Sequence, residues 1–265
     1  MFESCLRNSE ARFLSGFFVT TAACVGLLFF SYANICEARK KSVSLHREFM
    51  AVYQLDDNLW FPDPHLGEED GLVAVGGDLS VDRLLLAYSN GFFPWFSFKT
   101  QKEPLWYCPL QRFVIFPNEI HVSHSMQQLI NKNRLKPTIN KDFEGVIRGC
   151  ATAQNRNTEE GAWLGPEIAK AYTELHRQGF AASVEVWEDD RLVGGLYGVN
   201  LGSSFFGESM FSLVPSASKL ALIHLARMFE ILGGKLIDCQ IETPHLRSMG
   251  GRYIFYEEYI SIIQK

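Results

Sequence analysis

From about residue 53 onward, apolar and polar positions recur in short, readable patterns. The apolar run at residues 72–75, closed by Gly76 and Gly77, predicts a strand, and Ser80 then caps a helix through Tyr88 that Gly91 stops. Residues 105–108 and 112–116 are rich in aromatic and β-branched side chains and predict strands. Ser123 caps a helix reaching about Lys132, and a further helix covers residues 141–150. Pro166 sits in the first turn of a helix that runs to about Arg177, with Gly179 as its stop. Residues 182–187 and 192–199 flank the polar turn 188–191 as a hairpin, and a third strand covers 203–207. Within residues 218–232, apolar positions 222, 225, 226, 229 and 232 form a helical stripe ended by Gly233 and Gly234. In the final strand, 235–240, the period of two puts Leu236, Asp238 and Gln240 on one face and Lys235, Ile237 and Cys239 on the other. Asp238 and Gln240 are therefore expected to point the same way, as a capped strand end or as an active pair.

Three strands, a helix and a fourth strand is the order of an acyl-CoA N-acetyltransferase core. The fold class read from the pattern is α+β (mixed α/β), with an N-acetyltransferase-like catalytic domain at 151–265 and a smaller N-terminal α/β lobe at 50–150. Such a core normally cradles pyrophosphate in a glycine-rich loop at the start of its helix. Here residues 214–218 read Val-Pro-Ser-Ala-Ser, with no glycine and a proline that removes a donor, which argues against CoA. Ser216 and Ser218 are expected to cap the helix.

At 265 residues, 47% hydrophobic and 21% charged, the chain has ordinary globular composition, which excludes disorder. Its six cysteines show no CxxC pair and no zinc-like spacing, so they read as reduced thiols of a cytoplasmic protein. Residues 1–49 differ from the rest. Between Arg12 and Glu37 lie 24 residues without a charge, long enough to cross a bilayer, followed by Arg39, Lys40 and Lys41. A membrane anchor, a signal peptide and translated upstream sequence compete, and a working start at Met50, with no membrane in the working form, is the favoured expectation. After residue 49 there remain 19 basic against 26 acidic side chains. An acidic body argues against broad nonspecific nucleic-acid binding, so any contact to RNA must be local. Lys99, Lys102, Lys132, Arg134 and Lys136 are the candidates.

In order along the chain stand GLVAVGGDLS (71–80), GFFPWFS (91–97), GAWLGPEIAKAY (161–172), SVEVW (183–187), LVGGLYGV (192–199), GESMFS (207–212) and KLIDCQ (235–240). Together they closely resemble the leucyl/phenylalanyl-tRNA-protein transferase family, from about Tyr53 to Gly251. The resemblance implies transfer of Leu or Phe from leucyl-tRNA or phenylalanyl-tRNA, held by the acceptor end, to the N-terminal Arg or Lys of a protein. That transfer marks the acceptor for degradation and uses no cofactor or metal. The alternatives are a CoA-dependent N-acyltransferase, an aminoacyl-tRNA-dependent transferase acting on a membrane-linked cell-wall precursor, and a non-catalytic module binding N-terminal residues.

By the same resemblance, Asp238 and Gln240 match the catalytic positions. Asp238 would accept a proton or orient Gln240, whose amide would position the amine or polarise the ester. Glu208 matches the acidic residue near the aminoacyl-adenosine. Trp95, Trp163, Tyr172, Leu196, Phe205 and Leu225 match substrate-binding positions, as an adenine platform or as walls of a Leu/Phe pocket. The chemistry asks for little more, because an ester is already a good acyl donor and needs positioning and oxyanion stabilisation. Cys239 alternates away from Asp238 and reads as a core thiol, and no histidine stands out as a base.

Overall fold

The computed structural model describes residues 52–95, 103–152 and 164–264. The apolar segment at 1–49, Lys99, Lys102 and Trp163 lie outside the described residues. Among those described, no helix is long and apolar enough to cross a membrane.

The N-terminal part forms a four-stranded sheet from β1 (Tyr53–Leu55), β2 (Leu72–Gly76), β3 (Phe93–Trp95) and β4 (Leu105–Tyr107), in the order β1-β2-β4-β3. Helix α1 (Val81–Ser89) follows β2 where the pattern predicts it, the Ser80 side chain accepting from the Arg83 N–H. The remaining strands build one seven-stranded sheet: β5 (Gln111–Ile115), β6 (Leu135–Ile139), β7 (Ala181–Glu188), β8 (Arg191–Leu201), β9 (Ser204–Ser212), β10 (Leu236–Asp238) and β11 (Arg252–Phe255). Their order is β11-β5-β10-β9-β8-β7-β6, and every pair is antiparallel except β9 with β10. Three strands, a helix and a fourth strand is the order expected of the second half, and the structure pairs the fourth strand parallel to the third. The sheet also takes two strands from residues ahead of 150: β5, which pairs with β10, and β6, which pairs with β7.

Helices α2 (His124–Lys132), α3 (Phe143–Thr152), α4 (Pro166–Arg177) and α5 (Ala217–Ile231) follow in chain order, α6 (Pro244–Ser248) precedes β11, and α7 (Tyr256–Ile263) closes the described chain. Ser123 caps α2, and Gly179, at φ 85°, ends the turn after α4. The expected serine caps on α5 do not form. Ser216 takes a left-handed backbone (φ 70°) and makes no side-chain cap; the Ser218 N–H instead donates to the Ser212 Oγ at 3.3 Å, and the Ala217 N–H to the Val214 carbonyl.

The seven-stranded sheet separates two apolar layers. On one face α5 packs Leu222, Leu225, Ala226 and Phe229 against Val184, Leu196, Phe205 and Ile237. On the other, Tyr197, Val199, Phe206 and Phe211 meet α1, α3, α4, α7 and the four-stranded sheet. Phe206 and Phe211 are five residues apart, which the period of two would place on opposite faces. A bulge reconciles them: Gly198 pairs with Gly207 and Tyr197 with Ser209, leaving Glu208 as an extra residue on β9.

Candidate active site

Glu208 owes its direction to that bulge, which aims it into the layer holding α1 and α4. Tyr88 on α1 donates its hydroxyl to Glu208 Oε1 at 2.7 Å, and Tyr172 on α4 donates to Oε2 at 2.8 Å; the two phenol oxygens also touch each other. Both phenols are held well above the ordinary range, foremost by burial and next by the Glu208 charge, so they remain protonated donors. The Glu208 carboxyl is itself pushed up to about 7. Burial is the largest cause, the Asp238 charge adds to it, and the hydrogen bonds from Tyr88, Tyr172 and Gln240 oppose it.

Strand β10 ends at Asp238, so the alternation expected through Gln240 stops two residues short. Gln240 instead adopts φ 62°, and this left-handed turn brings its Nε2 to 2.9 Å from Glu208 Oε1. Asp238 lies beneath it, 1% exposed. Its Oδ1 accepts from the Gln240 N–H at 2.8 Å, and its Oδ2 accepts from the Tyr259 hydroxyl of α7 at 2.6 Å. Arg112 of β5, also 1% exposed, places Nε 3.7 Å from the same Oδ2. Asp238 therefore faces its partners rather than solvent. Both of its oxygens accept a hydrogen bond, one from the backbone of Gln240 and one from the Tyr259 hydroxyl.

The expected substrate-binding residues do not gather in one place. Tyr172 joins the Glu208 network through its hydroxyl, which an apolar pocket wall would not provide. Leu196, Phe205 and Leu225 lie together on the opposite face of the sheet, at 3%, 1% and 1% exposure, in the layer under α5. Trp95 is exposed at the end of β3, its ring 5.9 Å from that of Tyr107. Cys239 packs against the α5 layer and its thiol is pushed up, by burial first and then by Asp238, which leaves it inert. His176 stacks on Phe143 and bonds the Ala181 carbonyl, while His224 is pushed down to about 4, by burial first and then by Arg227. Of the basic candidates, Arg134 pairs with Glu188 at 2.8 Å. Among the described residues no cluster of histidine, cysteine or carboxylate side chains could hold a metal ion.

Tyr88, Arg112 and Tyr259 were not singled out from the sequence. Tyr88 closes the helix predicted after Ser80, and no element is predicted around Tyr259. Arg112 did carry a signal, being a cation in an otherwise apolar strand that must have a buried partner.

The family model of leucyl/phenylalanyl-tRNA protein transferase matches residues 114–264, and that of its N-terminal domain matches residues 77–110. The chain belongs to this family. A leucyl/phenylalanyl-tRNA–protein transferase of Syntrophus aciditrophicus (strain SB) is 49% identical over 217 residues, 82% of this chain and 89% of the relative. One of Flavobacterium johnsoniae is 47% identical over 214 residues, 80% of this chain and 99% of the relative. Among solved structures, a conserved protein of unknown function from Bacteroides thetaiotaomicron aligns with a TM-score of 0.40 at 10% identity, over 58% of this chain and 55% of its own, too remote to carry an argument. The transferase family model spans β10, β9 and α4, so Glu208, Gln240 and Asp238 all fall inside the matched region.

Proposed function

We propose that this chain transfers leucine or phenylalanine from aminoacyl-tRNA to the N-terminal Arg or Lys of acceptor proteins, in the cytoplasm, marking them for degradation. Family membership supports the reaction, and the observation that supports the site is the contact between the Gln240 amide and a Glu208 carboxylate held by two phenols. In the reaction the acceptor amine attacks the ester carbonyl, a C–N bond forms, the C–O bond to the terminal ribose breaks, and the amine proton ends on the leaving ribose oxygen. Gln240 is suited to orient the amine or polarise the carbonyl, since its amide carries both donor and acceptor. Glu208, near neutrality, is suited to hold the donor's amino group or a ribose hydroxyl. Asp238 acts as a positioning residue for Gln240.

Leu196, Phe205 and Leu225 form an apolar layer beside Ile237, which is adjacent to Asp238, and we assign them to the donor side-chain pocket. Trp95 and Trp163 are assigned to the terminal adenine, where stacking supplies about 1–3 kcal/mol per base. Use of CoA is disfavoured by the loop before α5, whose Ala217 and Ser218 N–H groups are spent on Val214 and Ser212 rather than free for an anion. The test is direct: purified protein, leucyl-tRNA or phenylalanyl-tRNA, and a peptide beginning with Arg, with Gln240→Ala and Glu208→Gln alongside. Labelled leucine or phenylalanine should join the peptide, and each substitution should slow transfer by roughly 10²-fold. Absence of transfer to Arg- and Lys-starting peptides would refute the activity; wild-type rates in both variants would move the site elsewhere.

A further inference from the structure

We propose that Arg112 and Tyr259 are positioning residues for aminoacyl transfer, acting through Asp238 to fix the Gln240 amide. The inference rests on Gln240 being the group that meets substrate. Its starting point is a pair that stability alone does not explain. A guanidinium and a carboxylate, each 1% exposed, have both been taken out of water, yet they meet only through Arg112 Nε at 3.7 Å from Asp238 Oδ2. The Nε and Nη1 atoms of Arg112 have no hydrogen-bond partner, and Nη2 alone is satisfied, donating to the Gly91 carbonyl. A buried ion pair with unmade hydrogen bonds commonly does no better for stability than apolar residues of the same volume.

What the arrangement provides is a carboxylate that cannot turn. The Arg112 guanidinium lies over two rings, 4.9 Å from the centre of Phe93 and 4.7 Å from that of Tyr259, so β3 and α7 both hold it. Burial works against its charge, but Asp238 and the neighbouring phenols raise its affinity for the proton, so it stays cationic. The Tyr259 hydroxyl takes Oδ2 of Asp238, which leaves Oδ1 for the Gln240 N–H. That last bond pins a non-glycine residue in the left-handed region, which persists only where its surroundings over-determine it. The outcome is the placement of Gln240 Nε2 against Glu208. The chain of contacts thus runs from α7 and β5, through β10, to the amide, and Arg112, Tyr259 and Asp238 all lie too deep to touch the substrate themselves.

The most informative variant is Tyr259→Phe, which keeps the ring over Arg112 and deletes only the hydroxyl. We expect kcat to fall roughly 10- to 100-fold, the scale of a misplaced reacting group, while KM for leucyl-tRNA and for an Arg-starting peptide stays within about twofold. In a Gln240→Ala background, followed by single-turnover transfer, Tyr259→Phe should cause no further loss, since its effect passes through the missing amide. Arg112→Lys, which keeps the charge but not the stacked plane, should show the same split and the same lack of additivity, and it decides the matter if Tyr259→Phe does not fold. A wild-type kcat in folded Tyr259→Phe, or an equal loss with and without Gln240, overturns the proposal while leaving Gln240 in place. A wild-type rate in Gln240→Ala instead removes the reading of the site on which the proposal stands.

Discussion

Glu208 accepts hydrogen bonds from Tyr88, Tyr172 and Gln240, a role that only its ionised form fills completely, yet burial above all pushes its carboxyl up to about 7. The ionised fraction therefore grows as pH rises towards neutrality. We expect kcat/KM to climb about tenfold per pH unit below about 7 and to level off above it, and Glu208→Gln to lose that limb along with most of its rate. The same shift has an opposite effect on stability. A folded-state value above the ordinary 4.5 means that the unfolded chain holds fewer protons between those two values. This group's contribution to stability is then present below about 4.5 and fades as pH rises to about 7, a slope in thermal unfolding that Glu208→Gln should remove. Asp238→Asn tests a different property of its neighbour. An amide has one oxygen where Asp238 uses two, so it cannot accept from both the Gln240 N–H and the Tyr259 hydroxyl. Transfer should drop roughly 10²-fold or more in a protein whose far-UV circular dichroism is unchanged; full activity would return Asp238 to a structural part.

At the scale of elements, the bulge on β9 and the glycines of β8 set the geometry. A Cβ at Gly198 would stand 2.1 Å from the Phe206 carbonyl and 2.6 Å from the Phe205 ring, both beside the bulge. Gly198→Ala must push β8 and β9 apart, and we expect a loss of about 1–3 kcal/mol, read as a lower melting temperature, together with reduced transfer as Glu208 shifts. The layer under α5 carries the selectivity prediction. If Leu196, Phe205 and Leu225 shape the donor pocket, leucyl-tRNA and phenylalanyl-tRNA should be used well, and valyl-tRNA about 10- to 200-fold less well for its missing methylene. Phe205→Ala should weaken leucine transfer more than phenylalanine transfer; equal rates from all three donors in the wild type would make these residues simple core. Much of this was legible. Strands β2, β4, β5 and β7 to β10, the Ser80 and Ser123 caps and the helix stripe at 222, 225, 226 and 229 follow from local patterns, whereas β1, β3, β6, β11, α6 and α7 do not, being short elements whose partners lie far away in sequence. The turn at Gln240 could not be, because a backbone bond to a buried carboxylate overrides the period of two, and no neighbour in sequence signals it. The bulge escaped for the same reason: Gly207-Glu208-Ser209 looks like plain alternation until the partner strand is known.

For the molecule as a whole, the hydrogen bonds around Glu208 described above all come from elements between Tyr53 and Ile263. We expect a chain beginning at Met50 to transfer leucine at the rate of the 265-residue chain, measured side by side; a clear deficit would give residues 1–49 a part in the working enzyme. The candidate site was legible in sequence only as far as Asp238, Gln240, Glu208 and Tyr172. Its other members arrive from positions 88, 112 and 259, and contacts of that span are written in topology rather than in any local pattern. The span also carries a consequence in time. Chains are synthesised from the N-terminus, and domains acquire structure as they emerge. Both Asp238 and the strand that flanks it are made before α7, so during translation the carboxylate waits without the Tyr259 hydroxyl that steadies it. If Tyr259 positions Asp238 as proposed, a polypeptide that still lacks its last described helix should be a poor transferase even with its sheet formed. Transfer activity would then appear only once α7 has joined the sheet, after nearly all of the described chain has been made.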